Sequence, residues 1–267
     1  MLLFLCACNK GEGTNDKVQQ TSVEQEGCLR IAVTPTLDCL PLYLAQHEGW
    51  FDREGVCVQL VPYQAQMDQD TAISRHYVHV MTTDIERMAW LQQHGTLVQQ
   101  VATTTLSWQL ITNKAARLTL LSQLDDKMLA MTRHSATDML AQHVIDSAGL
   151  QSDRVFRIQI NDINVRLSML QNGIMDAMFL PEPQATVARL DGHPVLFSTD
   201  GRQLGVLVFR DDVMADTTMH SKVERLITIY QLASDSIAER GLPHYRSLIA
   251  SYCHIKPAIV DSIKIEN

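Results

Sequence analysis

The chain has 267 residues, 46% of them hydrophobic, and a formal net charge of −8. That length and apolar content support a sizeable core in one large or two smaller domains. The acidic balance and the lack of a long basic run argue against nucleic acid or an anionic membrane surface as a partner of the main body. No stretch beyond the amino terminus approaches the length of a membrane-spanning helix.

The amino terminus stands apart. Met1 to Cys8 is apolar, and Leu5-Cys6-Ala7-Cys8 resembles a bacterial lipobox, which implies cleavage after Ala7 and acylation of Cys8. Asn9 to Gly27 is rich in Gly, Gln, Glu, Ser and Thr, the composition of a flexible tether. Residues 1–27 are therefore expected to hold an exported domain at a bacterial membrane, on its periplasmic or cell-surface side. Cys28, Cys39, Cys57 and Cys253 remain for the fold. Cys28 opens the first expected strand and Cys57 the second. If those strands are parallel neighbours, both sulfurs start at one end of the sheet, which permits a Cys28–Cys57 disulfide. Four buried thiols is the other reading.

Leu29 to Val33 reads as a strand and Thr34 to Cys39 as the loop after it. Pro41 to Glu48 carries Leu42, Tyr43 and Ala45 at helical spacing. Val56 to Val61 is a second strand, Asp68 to Ser74 a short helix, and Val78 to Met81 a third strand. Thr82-Thr83-Asp84 then signals a helix start, with the helix running to about His94. Strands follow at Val98 to Thr103 and Ser107 to Thr112. The alternation restarts with a helix at Leu118 to Leu124 and a strand at Lys127 to Met131. Thr132 to Asp138 leads into a helix ending at Ala148. Strand Val155 to Ile160, helix Ile163 to Asn172 and the apolar strand Ala177 to Leu180 come next. Helix Glu182 to Leu190 and strands Pro194 to Ser198 and Leu204 to Phe209 complete the run. Only helices are expected after Asp211.

Repeated strand–helix units imply mainly parallel sheets flanked by helices. Two such runs make an α/β chain of two lobes joined by two crossover strands, with a cleft between them. The expected division is 28–110 for the first part of lobe I, 111–206 for lobe II, and 207–267 for a mostly helical return to lobe I.

Loops at the carboxyl ends of strands line such a cleft. Thr36 and Asp38 offer a hydroxyl and a carboxylate after the first strand. Thr83 with Asp84, and Ser135 with Thr137, open helices whose free N–H groups suit an anion or a carbonyl, although plain N-capping explains each singly. Glu182 sits between Pro181 and Pro183 and favours a ligand with N–H or cationic groups. Trp108 lies near a crossover, where stacking on a planar ligand and simple burial are both open. His76 and His79 have no third ligand near them, so neither metal nor cofactor is expected.

Several ordered segments resemble one family. Leu29 to Val33, then Leu40-Pro41-Leu42-Tyr43-Leu44-Ala45 and Gly49-Trp50-Phe51, resembles its opening. Leu124-Asp125-Asp126-Lys127 with Ser135-Ala136-Thr137 resembles the start of its second lobe, and Gly173-x-x-Asp176-Ala177 with Glu182-Pro183 and Ala185-Thr186 is the most specific stretch. The family is the substrate-binding proteins of ABC importers, in the branch with nitrate-, taurine- or alkanesulfonate- and thiamine-pyrimidine-binding members. The resemblance implies a monomeric two-lobe protein of the periplasmic-binding-protein type II form that closes on a small solute and delivers it to a permease and ATPase. It also implies two alternatives on the same fold: an enzyme of pyrimidine or menaquinone-precursor synthesis, with His134 as donor or base, and a solute sensor. The chain departs from the family pattern in carrying Asp126 where relatives often have Gly, and in ending at Asn267.

Overall fold

The computed structural model describes residues 27–199 and 202–264. Cys8 and most of the expected tether lie outside the described residues. The first run comprises β1 (Leu29–Val33), α1 (Leu40–His47), α2 (Trp50–Arg53), β2 (Val58–Pro62), α3 (Gln66–Ser74), β3 (Val80–Asp84), α4 (Ile85–Gln93) and β4 (Val98–Thr104). The second comprises β5 (Gln109–Thr112), β6 (Lys127–Met131), α5 (Ala136–Ser147), β7 (Val155–Gln159), α6 (Ile163–Gln171), β8 (Ala177–Leu180), α7 (Gln184–Leu190) and β9 (Val195–Ser198). β10 (Gly205–Arg210) follows, then α8 (Asp211–Ala215), α9 (His220–Arg240), α10 (Arg246–Cys253) and α11 (Pro257–Val260).

These strands form two five-stranded sheets, ordered β2-β1-β3-β10-β4 and β7-β6-β8-β5-β9. Each sheet is parallel on one side and carries one reversed strand: β10 runs antiparallel to β3 and β4, and β5 antiparallel to β8 and β9. The central strands β3, β8 and β10 are buried along their whole length; β8 is wholly apolar, while β3 buries Thr82, Thr83 and Asp84 at its carboxyl end. The edge strands β2 and β7 are part exposed and carry polar residues.

Each lobe has its own core. Lobe I packs Leu29, Ile31 and Phe209 against Leu42, Phe51, Leu226 and Tyr230, so α9 returns across the first sheet. Lobe II packs Leu110, Leu129 and Phe179 against Leu140 and Val144 of α5. A further apolar cluster joins Leu40 and Leu44 of α1 to Leu242, Ile249 and Cys253 near the carboxyl end. β1 and β2 are parallel with Leu29 opposite Val58, and a disulfide joins Cys28 to Cys57 across their starts, with Cα atoms 4.6 Å apart. Cys39 and Cys253 are buried free thiols.

Several expected boundaries move. Gln109 and Leu110 already pair with β8, and Gly205 and Val206 already pair with β3, so the chain passes to the second sheet at 105–108 and is back in the first by Gly205, not at 110/111 and 206/207. A Cβ at Gly205 would collide with Thr104 Oγ1 and Leu106 Cβ, so glycine is needed where the two passages touch. Thr82, Thr83 and Asp84 belong to β3 itself, held by ladder pairing with β10. The helix expected over 118–124 shrinks to a 3-10 turn at Leu121–Leu124, because Gln123 Oε1 accepts from the amides of Thr119 and Leu120 and holds the preceding backbone outside the helix. Asp126 takes φ 59°, a left-handed conformation that glycine adopts most readily.

Candidate functional site

Two polar clusters lie between the lobes, and they differ in how completely their groups are bonded. The first lines a cavity of about 30 Å³, room for roughly one water molecule. Lobe I contributes Thr34, Thr36 and Asp38 from the turn after β1, with Gln69 from α3; lobe II contributes Thr132 and Arg166; Trp108 comes from the 105–108 passage.

Each group is placed by ordinary local forces. Gln69 lies on the buried face of α3 with Ala72 and Ile73. α6 starts at Asp162, whose Oδ1 accepts from the Asn164 and Val165 amides, and it buries Arg166 and Leu170 on one face. Trp108 is fixed by its backbone, which donates to Thr199 Oγ1 and accepts from the Thr199 amide.

This cavity gathers unmet hydrogen-bonding capacity. Asp38 Oδ1, Gln69 Nε2 and Trp108 Nε1 are all buried and have no partner among the described residues. Leaving such an atom unbonded costs about 1–3 kcal/mol, so three around one small space mark a place built for something else. Burial pushes the Asp38 carboxyl above the usual carboxylate range, opposed by hydrogen bonds from Thr36 and Thr104. Arg166 is only 1% exposed. Its guanidinium donates to Ile160 O, Phe179 O and Thr132 Oγ1 at 2.7, 2.9 and 2.6 Å, all neutral oxygens. Burial lowers its pKa to about 9. A buried cation held by neutral acceptors is incomplete electrostatically, since buried charges are ordinarily paired. Its guanidinium carbon lies 6.0 Å from the centre of the Trp108 ring.

The second cluster is more fully bonded, with Asp70 Oδ1 its one unpartnered side-chain atom among the described residues. Asp84, fully buried at the end of β3, accepts from the Arg87 amide at 2.8 Å and caps α4. The same oxygen accepts from the Ala136 amide of the opposite lobe at 2.9 Å, and the other accepts from Gln66 Nε2 at 2.7 Å. The amino end of α5, which the sequence suggested for an anion, is thus met by a carboxylate of the chain's own lobe I. Burial raises the Asp84 pKa, and these three hydrogen bonds oppose the rise. Arg87 pairs with Asp70 at 2.5 Å, donates to Arg133 O across the cleft at 2.9 Å, and covers the Trp90 ring at 4.2 Å. Burial pushes the Asp70 carboxyl up to about 6 despite that pairing.

The remaining expected residues fall outside the cavity lining. Thr83 Oγ1 accepts from Gln66 Nε2 at 3.3 Å. Ser135 Oγ donates to Thr132 O and accepts from the Thr137 amide, while Thr137 Oγ1 accepts from the Thr132 amide, so both hydroxyls shape the turn before α5. Glu182 lies outside this lining as well. Its carboxylate accepts from Gln109 Nε2, Arg189 Nη2 and the Thr186 amide at 2.9, 2.9 and 3.1 Å, and its backbone carbonyl accepts from the Leu37 amide. It anchors α7 and the lobe junction, because that loop carbonyl and carboxylate face protein donors on every side. His134 lies in a separate groove with Trp90 and Asp138 rather than with Asp38 and Arg166.

Thr36, Asp38 and Trp108 are the expected residues that meet in the cavity. Gln69 and Arg166 went unnoticed. The available signal was polar residues on helix faces that otherwise bury apolar side chains: Arg166 three after Ile163 and four before Leu170, and Gln69 four before Ile73.

The fold and this geometry can be set beside known proteins. A family model described as NMT1/THI5 like matches residues 36–227. No curated protein matches the chain. Among solved structures, the alkanesulfonate-binding protein SsuA from Xanthomonas axonopodis pv. citri, bound to MOPS, is 20% identical with a TM-score of 0.75, over 88% of this chain and 82% of that one. The periplasmic aliphatic sulphonate binding protein SsuA from Escherichia coli is 17% identical with a TM-score of 0.69, over 88% and 81%. The periplasmic nitrate-binding protein NrtA from Synechocystis PCC 6803 is 12% identical with a TM-score of 0.75, over 87% and 68%. These likenesses show a shared two-lobe α/β fold of the periplasmic-binding-protein kind.

Proposed function

The chain belongs to the NMT1/THI5-like family, and we propose that it is the solute-binding component of an ABC importer. In this reading it is exported, anchored through acylated Cys8, and monomeric. It captures a small polar or heterocyclic solute between its lobes by hinge closure and presents the closed form to a permease and ATPase.

The observation that carries the reading is the convergence of Asp38 Oδ1, Gln69 Nε2 and Trp108 Nε1, all unpartnered among the described residues, on one inter-lobe cavity with the buried Arg166. Three such atoms lining one inter-lobe space are the densest grouping among the described residues, and polar groups left free at a lobe junction suit a partner that arrives between the lobes. Family membership and the solute-binding proteins that share the fold support it. The protein performs no chemistry in this reading. The residue that the enzyme alternative relied on, His134, lies apart from the cavity lining.

The test is a thermal-shift screen of residues 28–267 against thiamine, aminopyrimidines, riboflavin, taurine, alkanesulfonates, nitrate and amino acids. A solute at one hundred times its dissociation constant adds about 2.7 kcal/mol of stability. A stabilising solute recovered unchanged is the expected result; turnover of that solute would replace the reading with an enzymatic one.

A further inference from the structure

The cavity groups have a polarity that narrows the solute. Three of them are donors: Trp108 Nε1, Gln69 Nε2 and the Arg166 guanidinium, which has five N–H groups and uses three for the oxygens already named. One is an acceptor, Asp38 Oδ1. Asp38 stands on the lobe I turn after β1, while Arg166 and Trp108 belong to lobe II and the passage into it. The Arg166 guanidinium carbon stands 6.0 Å from the Trp108 ring centre, and the Trp108 N–H is unpartnered among the described residues. That favours a polar contact over stacking on a flat heterocycle. The other anion-receptive feature of the cleft, the amino end of α5, already holds the Asp84 carboxylate.

We infer that the solute is a small zwitterion, with an oxyanion group read by Arg166, Trp108 and Gln69 and an amine or amidine nitrogen read by Asp38. The inference rests on the cleft being the solute site. A bare anion would satisfy the donors and leave Asp38 Oδ1 buried, unbonded and facing a like charge. A bare amine would satisfy Asp38 and leave Trp108 Nε1 and Gln69 Nε2 unbonded, with the Arg166 guanidinium hydrogen-bonded only to neutral oxygens and Asp162 its through-space counter-charge. Only a ligand carrying both ends completes both walls, and in doing so it bridges the two lobes. Carboxylate, sulfonate and phosphonate offer the same acceptor chemistry to these donors.

The experiment is titration calorimetry of the intact residue 28–267 protein with three sets of probes. β-Alanine, taurine and 2-aminoethylphosphonate are zwitterions; propionate and ethanesulfonate lack the nitrogen; ethanolamine lacks the oxyanion. At least one zwitterion should bind about tenfold or more tighter than every single-ended probe. Asp38→Asn should remove that advantage, weakening the zwitterions and strengthening ethanesulfonate, which no longer faces a like charge. Gln69→Leu, a second variant that removes one of the donors, should weaken zwitterions and ethanesulfonate alike. Equal affinity for single-ended probes, or an Asp38→Asn protein that is folded by melting temperature and still prefers zwitterions, overturns the inference. Silence to the zwitterions with a response to another solute in the screen also overturns it and leaves the binding reading standing. Silence to every compound overturns both.

Discussion

Two polar clusters span the same cleft, and the contrast between them is informative. Around Asp84, nearly every group is bonded: the carboxylate has three donors, and Arg87 joins Asp70, Arg133 O and the Trp90 ring. Around Asp38, buried polar atoms stay unbonded and the Arg166 cation meets only neutral oxygens. Both clusters are buried and both use residues from each lobe. The difference teaches that burial at an inter-lobe surface has two uses. A satisfied network holds the lobes together by itself, while an unsatisfied one reserves its capacity for a guest. Gln66 touches both, lining the cavity while donating to Asp84.

The sharpest way to break this comparison is at Arg166. Arg166→Met removes the donor to Ile160 O, Phe179 O and Thr132 Oγ1. It should cost on the order of 3 kcal/mol in denaturant unfolding and abolish solute binding. A variant that keeps full affinity would place recognition elsewhere.

Asp84→Ala attacks the other cluster. It strands the amides of Arg87 and Ala136 and removes a helix cap, so about 2–3 kcal/mol of stability should go. The radius of gyration from small-angle scattering should rise as the lobes part, while the ranking of solutes stays the same. A changed ranking would show that Asp84 takes part in recognition.

The pH dependence separates the clusters further. The Asp70 carboxyl is raised from 3.8 to about 6 in the folded protein. Folding then favours the protonated form, so its contribution is complete below the unfolded value and is lost as pH rises from about 4 through about 6. The shift corresponds to at most about 3 kcal/mol, less whatever the low-dielectric pairing with Arg87 conceals. Asp38 and Asp84 are shifted in the same direction, so the comparison of wild type with Asp70→Asn isolates this residue: the variant should show a shallower loss over that window in melting-temperature measurements. An unchanged slope would remove Asp70 from the titration.

Glu182→Gln should have the smallest effect. One ion pair with the part-exposed Arg189 weakens, and about 1 kcal/mol of stability goes with it. Solute affinity should stay within about twofold. A tenfold loss would return Glu182 to the solute's surroundings.

The alternation of strand and helix was legible because parallel sheets leave long apolar runs between amphipathic helices. Asp38 and Trp108 were legible because a carboxylate in the loop after β1 and a tryptophan between the lobes are unusual enough to notice. Thr83, Ser135 and Thr137 were read as open helix starts, but whether a hydroxyl or an amide is free depends on residues far away in the chain. Asp84 meets Ala136 from 52 positions away, and no local pattern announces that. The partners of Glu182, Gln109 and Arg189, are likewise not announced by the loop that carries it. Arg166 was missed by reading helix α6 for its apolar stripe alone; a cation inside that stripe was the clue.

The most direct test of the unsatisfied cluster is the indole N–H signal of Trp108 in a ¹⁵N-labelled sample. The chain has only three tryptophans, so three indole signals are expected, assigned by single Trp→Phe variants. Titration with the solute found in the screen should shift the Trp108 Nε1–H signal downfield as it gains an acceptor, with Trp50, part of the lobe I core, unmoved. Saturated binding with the Trp108 signal in place would contradict the claim that the unpartnered atoms of this cavity are where the solute is held.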